Sequence, residues 1–437
     1  MKNPKDALCR RAIMVFMSCF ALQAMPALAT PTIAPDGARN SAERTYIALP
    51  LFPASRADTG VAIHDLSDTK LLDAVKNVGF SFVRTDLFWG SVQNASGWHF
   101  STYDTLVSNL AERGLGALFI LGYDNDLYSP RQAPTTPSQL AAFHAYVYQS
   151  ALRYKKAAVR FEVWNEQDSK QFWLADPSPS AYRTMLKTAV NAAKSANPKA
   201  IIASGGVTEA NRSFIRSVGD ISATQTGPDA VSVHPYRQQY PETVFKDYRE
   251  LDQDLSTYHK VPQLWATELG YPTYGYAYVS DIQNGHSPIA RERQAKYTVR
   301  LLLANWISQI GLTAYYDMRN DGTNPEDREH NFGLLDADNT KLPVYNATKH
   351  LFSFTANVSD AKYFINDYDK YIVLKLLTAT ATKYVIWCYG DGSTIDLDTS
   401  RLPKNAIVTD MYGTPRASTG IQAIPEAMGP VFVSVPS

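Results

Sequence analysis

Between residues 60 and 317, short apolar runs alternate regularly with longer amphipathic segments, and this alternation is the strongest constraint on the fold. In the longer segments apolar residues recur at three- and four-residue steps, which predicts helices, whereas the short runs are typical of buried parallel strands. The runs predicted as strands are 60–64, 81–86, 117–121, 160–165, 200–205, 230–234, 263–268 and 313–317. The clearest predicted helices are 70–78, 103–113, 140–154, 182–196 and 291–310.

Eight such strand and helix units predict an α/β fold of the (β/α)8 TIM-barrel type, for which about 250 residues or more are typical. An open, doubly wound sheet is the alternative. That fold normally has a glycine-rich phosphate loop after its first strand, but here the run 60–64 continues directly into Asp65. The sequence therefore favours the barrel.

After Phe352 the pattern changes to short alternating runs that predict a small C-terminal β-sandwich. These runs are 370–377, 383–389, 406–410 and 431–435. The run 45–49, which precedes the barrel, is predicted to add a strand to this domain. The predicted organisation is a signal peptide at 1–29, a leader with this possible strand at 30–59, a barrel at 60–352 and a β-sandwich domain at 353–437.

The N-terminus combines a basic start with an apolar run over 12–29 that closes on small residues. This pattern predicts a secretory signal peptide cut after Ala29, and hence export to the periplasm or outside the cell. A retained membrane anchor is the alternative, but Gln23 and Pro26 interrupt a run that is already short for a bilayer. A lipoprotein signal at Cys19 fits less well. No later run is long enough to span, so no stable membrane insertion is expected after cleavage.

Composition and spacing exclude several classes of function. The 42 basic and 42 acidic residues balance, so nothing predicts a nucleic-acid partner. The chain has no His-Glu-x-x-His spacing, no paired cysteines and no Gly-x-Ser-x-Gly elbow. We therefore expect no catalytic metal, no cofactor and no serine nucleophile. We also expect the chain to act as a monomer.

The active site of a TIM barrel lies where the strands end, so polar residues at the predicted strand ends are the candidates. They are His64, Arg84, Asp86, Asp124, Asn165, Glu166, His234, Tyr236, Glu268, Tyr316 and Asp317. Glu166 closes the fourth strand and Glu268 the seventh, so both carboxyl groups should face the barrel mouth. Retaining cleavage of a glycosidic bond needs such a pair, about 5–5.5 Å apart. Glu162, by contrast, lies inside its strand and is expected to pair with a barrel residue.

These residues resemble clan A glycoside hydrolases, in which an Asn-Glu pair ends the fourth strand and a lone Glu ends the seventh. Within the clan the chain is most similar to family 39, particularly to bacterial members associated with exopolysaccharide gene clusters. The further motifs that carry the resemblance are 82–86, 231–236, 316–322 and 331–336. The likeness extends over essentially the whole chain.

The resemblance implies that Glu166 is the general acid/base and Glu268 the nucleophile. It also implies that Asn165 hydrogen-bonds the 2-hydroxyl of the sugar and that Tyr236 touches the nucleophile. Arg84, on the second strand, is expected to favour the ionised form of Glu268 because opposite charges attract.

Aromatic residues just beyond the strand ends are predicted to stack on sugar rings. They are Trp89, Tyr123, Trp173, Tyr271 and Tyr274. Many clan members have a tryptophan platform at the end of the eighth strand, whereas this chain has Tyr316 and Asp317 there. The polar residues expected to contact substrate are Asp124, His234, Tyr316, Asp317 and Asp321. For His64 and His234, a place in the core is the alternative.

The leading hypothesis is a retaining glycoside hydrolase that cleaves internal bonds of an acidic or neutral bacterial exopolysaccharide. The second is an exo-acting enzyme, similar to a β-xylosidase or a uronidase. The third is a non-catalytic carbohydrate-binding protein, although such relics usually lose a glutamate and this chain has both. Transglycosylation is a further outcome, because a sugar can intercept a covalent intermediate. In every case the partner is a polysaccharide or an oligosaccharide.

Overall fold

The computed structural model describes residues 32–33, 45–50, 58–223, 226–273, 285–390, 392–417 and 420–437. The predicted signal peptide and Tyr274 lie outside these residues. Within them, no helix is both long and apolar enough to cross a bilayer.

Eight parallel strands close into a barrel, which confirms the predicted fold. They are β1 (Thr59–Ala62), β2 (Phe82–Phe88), β3 (Gly116–Gly122), β4 (Val159–Val163), β5 (Ile202–Ser204), β6 (Ala230–His234), β7 (Gln263–Leu269) and β8 (Leu312–Tyr315). Each strand pairs with the next, and β8 pairs with β1 through Thr313 opposite Thr59. A short strand, Val207–Thr208, continues beside β6.

Each barrel strand is followed by a helix that covers the outside. The helices are α1 (Thr69–Val78), α2 (Ser101–Glu112), α3 (Pro137–Arg153), α4 (Pro179–Ala196), α5 (Arg212–Val218), α6 (Val244–Leu255), α7 (Pro288–Ile307) and α8 (Pro343–Phe354). Four of them begin at a proline, which lacks the N–H that the first turn of a helix leaves unpaired. At α1, the Asp68 side chain accepts from two backbone amides, and Gly79 ends the helix at a φ of 114°.

The predicted fourth strand extends two residues too far. The strand ends at Val163, because Trp164 and Glu166 have φ values of 74° and 44°. Residues other than glycine rarely adopt φ values in this left-handed region, and an extended strand cannot contain a residue with such a φ. The turn brings Glu166 to the mouth of the barrel, where its backbone N–H donates to the carbonyl oxygen of Gly206.

Alternation of side chains along β2 places Phe82, Arg84 and Asp86 on one face, toward the barrel interior. Phe82 belongs to the apolar cluster that fills this interior. Its members are Phe82, Leu118, Ala203, Ala230, Trp265, Leu312 and Ala314. Arg84 and Asp86 lie two and four residues after Phe82 on the same face. The inward face of β2 is therefore apolar near its start and polar near its C-terminal end.

The C-terminal domain is a β-sandwich, as predicted. Its strands are β9 (Asp360–Asn366), β10 (Tyr371–Leu377), β11 (Ala381–Cys388), β12 (Thr394–Asp398), β13 (Ile407–Thr409), β14 (Ile421–Pro425) and β15 (Val431–Pro436). A six-stranded sheet has the order β13-β15-β11-β10-β9 followed by Ile47–Ala48, and a three-stranded sheet joins Thr32–Ile33, β12 and β14. A buried cluster from both sheets, including Val373, Ile386 and Leu397, forms its core.

Buried charged groups join the sandwich to the barrel. Arg300 of α7 donates to both carboxylate oxygens of Glu242, which follows β6, at 2.9 and 2.6 Å. Arg300 also pairs with Glu426 of the sandwich, which accepts from Lys296 as well. The indole N–H of Trp387 on β11 donates to Glu242 at 2.7 Å. The sandwich therefore contributes polar partners to the barrel as well as apolar contacts.

Candidate active site

A cleft of about 700 Å³ opens at the C-terminal ends of the barrel strands. Of the predicted site residues, the structure brings nine to its lining. They are His64, Arg84, Asp86, Tyr123, Asn165, Glu166, Tyr236, Glu268 and Tyr316. His234 is fully buried and contacts the lining residue Glu166.

Arg84 contacts several residues of the site, and it is 3% exposed. Its Nε donates to Glu162 at 2.9 Å, its Nη1 to Glu268 at 2.6 Å, and its Nη2 to the Asn165 side-chain oxygen at 2.8 Å. Burial alone would lower the pKa of Arg84, but the charges of Glu162 and Glu268 raise it, so the guanidinium stays protonated. One planar cation on β2 thus sets the positions of residues on β4, just after β4 and on β7.

Glu162 completes the support of this cation from within the barrel. It is fully buried, and its second oxygen accepts from the Thr267 hydroxyl at 2.6 Å and from the Gly206 backbone at 2.9 Å. Every bond of this carboxylate therefore goes to the protein. It pairs with a barrel residue, as its place inside the strand indicated.

Glu268 is held as a carboxylate. Its two oxygens accept from different donors, Arg84 at 2.6 Å and the Tyr236 hydroxyl at 2.8 Å. Burial alone would raise the pKa of Glu268, but the charges of His234 and Arg84, together with the hydrogen bonds from Tyr236 and Arg84, bring it below the ordinary value. An ionised carboxylate at the centre of the cleft is a competent nucleophile.

Glu166 has a different environment. Its Oε1 lies 3.0 Å from His234 Nδ1, whereas Arg84 makes its bonds to Glu162, Glu268 and Asn165. One oxygen of Glu166 and one of Glu268 lie within 4.8 Å of each other, with His234 between them. This spacing is close to the separation of about 5–5.5 Å found in retaining glycosidases.

His234 fits its position because of a glycine. A Cβ atom at Gly206 would lie 2.1 Å from His234 Nε2, so only glycine allows the ring to pack here. Burial lowers the pKa of His234, but the charge of Glu268 and the bond to Glu166 outweigh this effect and raise it. The sequence left two alternatives for His234, a place in the core or a place in the site. The structure combines them, because the buried ring also contacts Glu166.

Three of the predicted sugar-stacking residues are wrongly assigned. Trp89, Trp173 and Tyr271 are at most 3% exposed and belong to the apolar core. Trp89, for example, packs against Phe143 and stacks on Tyr128. Their loops turn these rings toward the helices, so no ring face is available to a sugar.

Asp124 is also outside the cleft lining, because its carboxylate caps the backbone N–H of Arg131 at 2.9 Å.

Asp86 was a candidate strand-end residue, and it does line the cleft. Burial raises the pKa of Asp86, and the Tyr123 hydroxyl interacts with it. Its Oδ1 is buried and has no hydrogen-bond partner in the described part of the chain.

At the end of β8, Tyr316 stands edge-on to Phe332 with ring centroids 5.2 Å apart and lines the cleft. Asp317 is 1% exposed and faces a neighbouring cavity of about 620 Å³ together with His64 and Asp321. The hydrogen bond to Asp321 raises the pKa of His64 to about 9, despite burial. Burial and the charge of Asp321 raise the pKa of Asp317 well above its usual range.

Two groups of side chains in the described regions have the close spacing of metal ligands: His64 with Asp317 and Asp321, and Glu166 with His234 and Glu268. In the second group the Arg84 guanidinium lies 2.6 Å from Glu268, where it already supplies positive charge. In the first, His64 Nδ1 bonds directly to Asp321 at 2.6 Å. Both groups are therefore satisfied by ion pairs of the protein itself.

Several cleft residues were not predicted from the sequence. They are Gln171, Phe172, Thr208, Glu209, Arg237, Gln238, Gln239, Asp247, Arg328, Glu329 and Phe332. Most of them come from loops, where no periodicity indicates which side chains turn inward. Arg237 could have been suspected because it directly follows Tyr236, although its guanidinium pairs with Asp247 at 3.0 Å.

Comparison with known proteins agrees with the barrel fold. Residues 51–310 match the family model described as Cellulase (glycosyl hydrolase family 5). No curated protein sequence matches the chain. The fold is similar to that of a family 39 glycoside hydrolase from the gut symbiont Bacteroides cellulosilyticus WH2, with a TM-score of 0.71 and 22% identity over 88% of this chain and 82% of that one.

Two further solved structures share the architecture. A glucosidase from Croceicoccus marinus has a TM-score of 0.62 and 14% identity, over 87% of this chain and 95% of that one. A bifunctional glucanase-xylanase from a metagenome library has a TM-score of 0.60 and 10% identity, over 93% and 98%. These likenesses show the fold, and together with the family match they confirm the resemblance to clan A.

Proposed function

This chain belongs to the cellulase family, glycosyl hydrolase family 5, and is a glycosidase, and we propose that it cleaves its substrate by double displacement with retention of configuration. The observation that carries the proposal is the pair of carboxylates just after β4 and on β7, with one oxygen of each within 4.8 Å of the other. Arg84 and Tyr236 hold Glu268 ionised, whereas Glu166 is free of a direct cation contact from Arg84.

In the first step, a Glu268 oxygen bonds to the anomeric carbon while the bond from that carbon to the leaving oxygen breaks. Glu166 gives its proton to the leaving oxygen. In the second step, Glu166 takes a proton from water, the water oxygen bonds to the anomeric carbon, and the Glu268 carboxylate leaves. Both glutamates end in the protonation states in which they started, so the cycle can repeat without a cofactor.

Arg84 and Tyr236 act on Glu268 throughout this cycle. As Glu268 forms a covalent ester its negative charge disappears, and its bonds to both donors weaken. They strengthen again as the carboxylate leaves in the second step. Asn165, held by Arg84 at 2.8 Å, keeps its amide N–H groups available for a hydroxyl of the bound sugar.

We propose that the substrate is a bacterial exopolysaccharide and that cleavage is internal. The family resemblance in the sequence and the predicted signal peptide support this substrate, and a cleft of about 700 Å³ has room for several sugar units. The runner-up is an exo-acting enzyme on short oligosaccharides, and a non-catalytic glycan-binding protein is third. The predicted export supports a site of action in the periplasm or outside the cell.

The stereochemical proposal is tested by NMR. With a substrate that is cleaved, we expect the first-formed product to have the anomeric configuration of the bond that was broken. Its opposite anomer should appear later, through mutarotation. The anomeric proton signals recorded in the first minutes give the result, and initial appearance of the opposite anomer would exclude double displacement.

The substrate is tested by incubating the chain without residues 1–29 with purified exopolysaccharide from its source, and with cellulose, xylan and mannan derivatives. Mass spectrometry then follows the products. A ladder of oligosaccharides at early times supports internal cleavage. Release of a single mono- or disaccharide supports the exo alternative, and binding without any product supports the non-catalytic one.

Tyr236→Phe should change the pH dependence of the reaction. The Tyr236 hydroxyl lowers the pKa of Glu268, so its removal raises that pKa and reduces the ionised fraction of the nucleophile in acid. We expect the acidic limb of the kcat/KM profile to move to higher pH. We also expect kcat/KM at the optimum to fall about 10- to 100-fold, the effect of one hydrogen bond to a charged group.

The matched control is Tyr368→Phe, which removes a hydroxyl from a side chain that is 83% exposed on the C-terminal domain. It should leave both the rate and the profile unchanged. If the acidic limb stays in place in Tyr236→Phe while the rate falls, a group other than Glu268 controls that limb.

A further inference from the structure

Strongly exposed aromatic rings are few in this protein, and most lie in one place. In the described ranges, four aromatic side chains are more than a third exposed: Phe88, Trp98, Tyr128 and Tyr368. Phe88 ends β2, and Trp98 and Tyr128 lie in the connections that follow β2 and β3. We call Phe88, Tyr128 and Trp98, which are 44%, 38% and 39% exposed, the outer aromatic row.

The row begins at the cleft wall. Tyr123, which lines the cleft, has its ring centroid 6.0 Å from that of Phe88. The Tyr123 centroid also lies 6.0 Å from that of Phe172, a second cleft residue. Contacts between aromatic rings therefore connect the cleft lining with Phe88.

The row continues through a fixed support. Tyr128 is stacked on the buried ring of Trp89, with centroids 5.8 Å apart and planes at 6°, and its hydroxyl accepts from the Gln93 side chain at 3.2 Å. Gln93 is paired with Trp98 across a two-stranded hairpin, and paired residues project from the same face. Trp89, which directly follows Phe88 in the chain, thus connects Phe88 with Tyr128, and Gln93 connects Tyr128 with Trp98.

Local bonds make this surface rigid. The Asn125 side chain donates to the Gln93 carbonyl oxygen at 2.8 Å, which joins the loop after β3 to the loop after β2. The Asn94 side chain accepts from the backbone and hydroxyl of Ser96 and closes the hairpin. Rings held in this way lose little conformational freedom when a ligand stacks on them.

Beside Trp98 lies a groove of about 470 Å³ with polar walls. Its lining includes His99, Ser101, Asp104, Gln149 and Arg153. The Trp98 ring packs nearly parallel to Phe100, at 15° and 6.2 Å, so it stands as a platform over this groove. Flat rings next to hydrogen-bonding groups suit sugar units, which have apolar faces and polar edges.

We propose that the outer aromatic row binds a glycan chain outside the catalytic cleft and so gives the enzyme a preference for polymers over short substrates. This proposal rests on the glycosidase function proposed above. The ligand is the continuation of the polysaccharide whose bond lies between Glu166 and Glu268. Sugar units beyond the cleft stack on Phe88, Tyr128 and Trp98 in turn.

The test compares Trp98→Ala and Tyr128→Ala with the wild type on two substrates, the polysaccharide that is cleaved in the experiment above and a short aryl glycoside of the same sugar. We expect each variant to raise KM on the polymer about 3- to 10-fold, the contribution of one stacked ring. The rate on the aryl glycoside should stay within twofold, because that substrate is confined to the cleft. Tyr368→Ala is the control and should alter neither.

Equal losses on polymer and aryl glycoside would overturn the proposal, because the rings would then act through the fold of the cleft. Unchanged KM on the polymer would also overturn it. Binding gives a readout that does not need catalysis. In native gels containing the polysaccharide, Glu268→Gln should be retarded, and Glu268→Gln with Trp98→Ala should migrate faster. If the wild type cleaves none of the glycans, retardation that depends on Trp98 still supports the row, and its absence overturns it.

Discussion

Glu268→Gln should lower kcat by about 10⁴-fold or more on every substrate, the scale at which removal of a catalytic nucleophile acts. The amide has almost the same shape, and it can still contact Arg84 and Tyr236. It cannot form the covalent bond to the anomeric carbon, however, and it leaves the Arg84 charge without one of its two carboxylate partners. Steady-state rates of the purified variant give the measurement.

Glu166→Gln separates the two roles. On a natural substrate it should be as impaired as Glu268→Gln, because the leaving sugar needs a proton. On a dinitrophenyl glycoside the leaving group departs without protonation, so the first step should remain fast while the second slows for lack of a base. We expect a burst of dinitrophenol followed by a slow steady state. Azide, which attacks without a base, should accelerate that steady state for Glu166→Gln and have no effect on Glu268→Gln.

Asp124→Asn is the matched control for both variants. It makes the same change from acid to amide near a strand end, but Asp124 caps the Arg131 backbone outside the cleft lining. Its rates should equal those of the wild type. A burst from Glu268→Gln, with none from Glu166→Gln, would reverse the assignment of the two glutamates.

The second large effect is expected on stability, from Arg300→Met. Arg300 is fully buried and bonds to Glu242 and to Glu426, so it joins α7, the segment after β6 and the sandwich. Methionine is similar in length but leaves the Glu242 carboxylate, 4% exposed, without its cation. Removing one partner of a buried ion pair costs about 3–5 kcal/mol, and we expect the free energy of unfolding to fall by that amount.

Arg153→Met is the control, because it breaks an arginine pair at the surface. Arg153 and Asp104 have side chains that are 46% and 36% exposed, and such pairs contribute about 0–1 kcal/mol. Urea unfolding followed by fluorescence and circular dichroism gives both values. Coincident transitions in the wild type that separate in Arg300→Met would show that this arginine couples the two domains. Equal stability losses for the two variants would contradict this role.

The meeting of Glu166 and Glu268 could be predicted because periodicity specifies strand ends. Once eight strands alternate with helices, closure brings every C-terminal strand end to one mouth, so Glu166 and Glu268 must meet there although they are far apart in the chain. Arg84 followed from the same logic, since it lies on the second strand in phase with Asp86. The missed cleft residues, such as Glu209 and Arg237, lie on loops where the period of two no longer applies.

The stacking residues show where prediction from strand ends fails. Trp89, Trp173 and Tyr271 stand at positions similar to that of Tyr123, yet only Tyr123 faces the cleft. The orientation of an aromatic side chain on a loop depends on the space available among the neighbouring helices. That space is created by residues distant in sequence, such as Phe143 beneath Trp89.

The sequence by itself determined the barrel, the order of its strands and the two glutamates at its mouth, because side-chain periodicity is a local property that a single chain displays. Only the tertiary structure decided the network around Arg84, the inward turn of three predicted platforms, and the exposure of Phe88, Tyr128 and Trp98. These depend on side chains from separate strands and loops packing into one volume, and no local pattern encodes that packing.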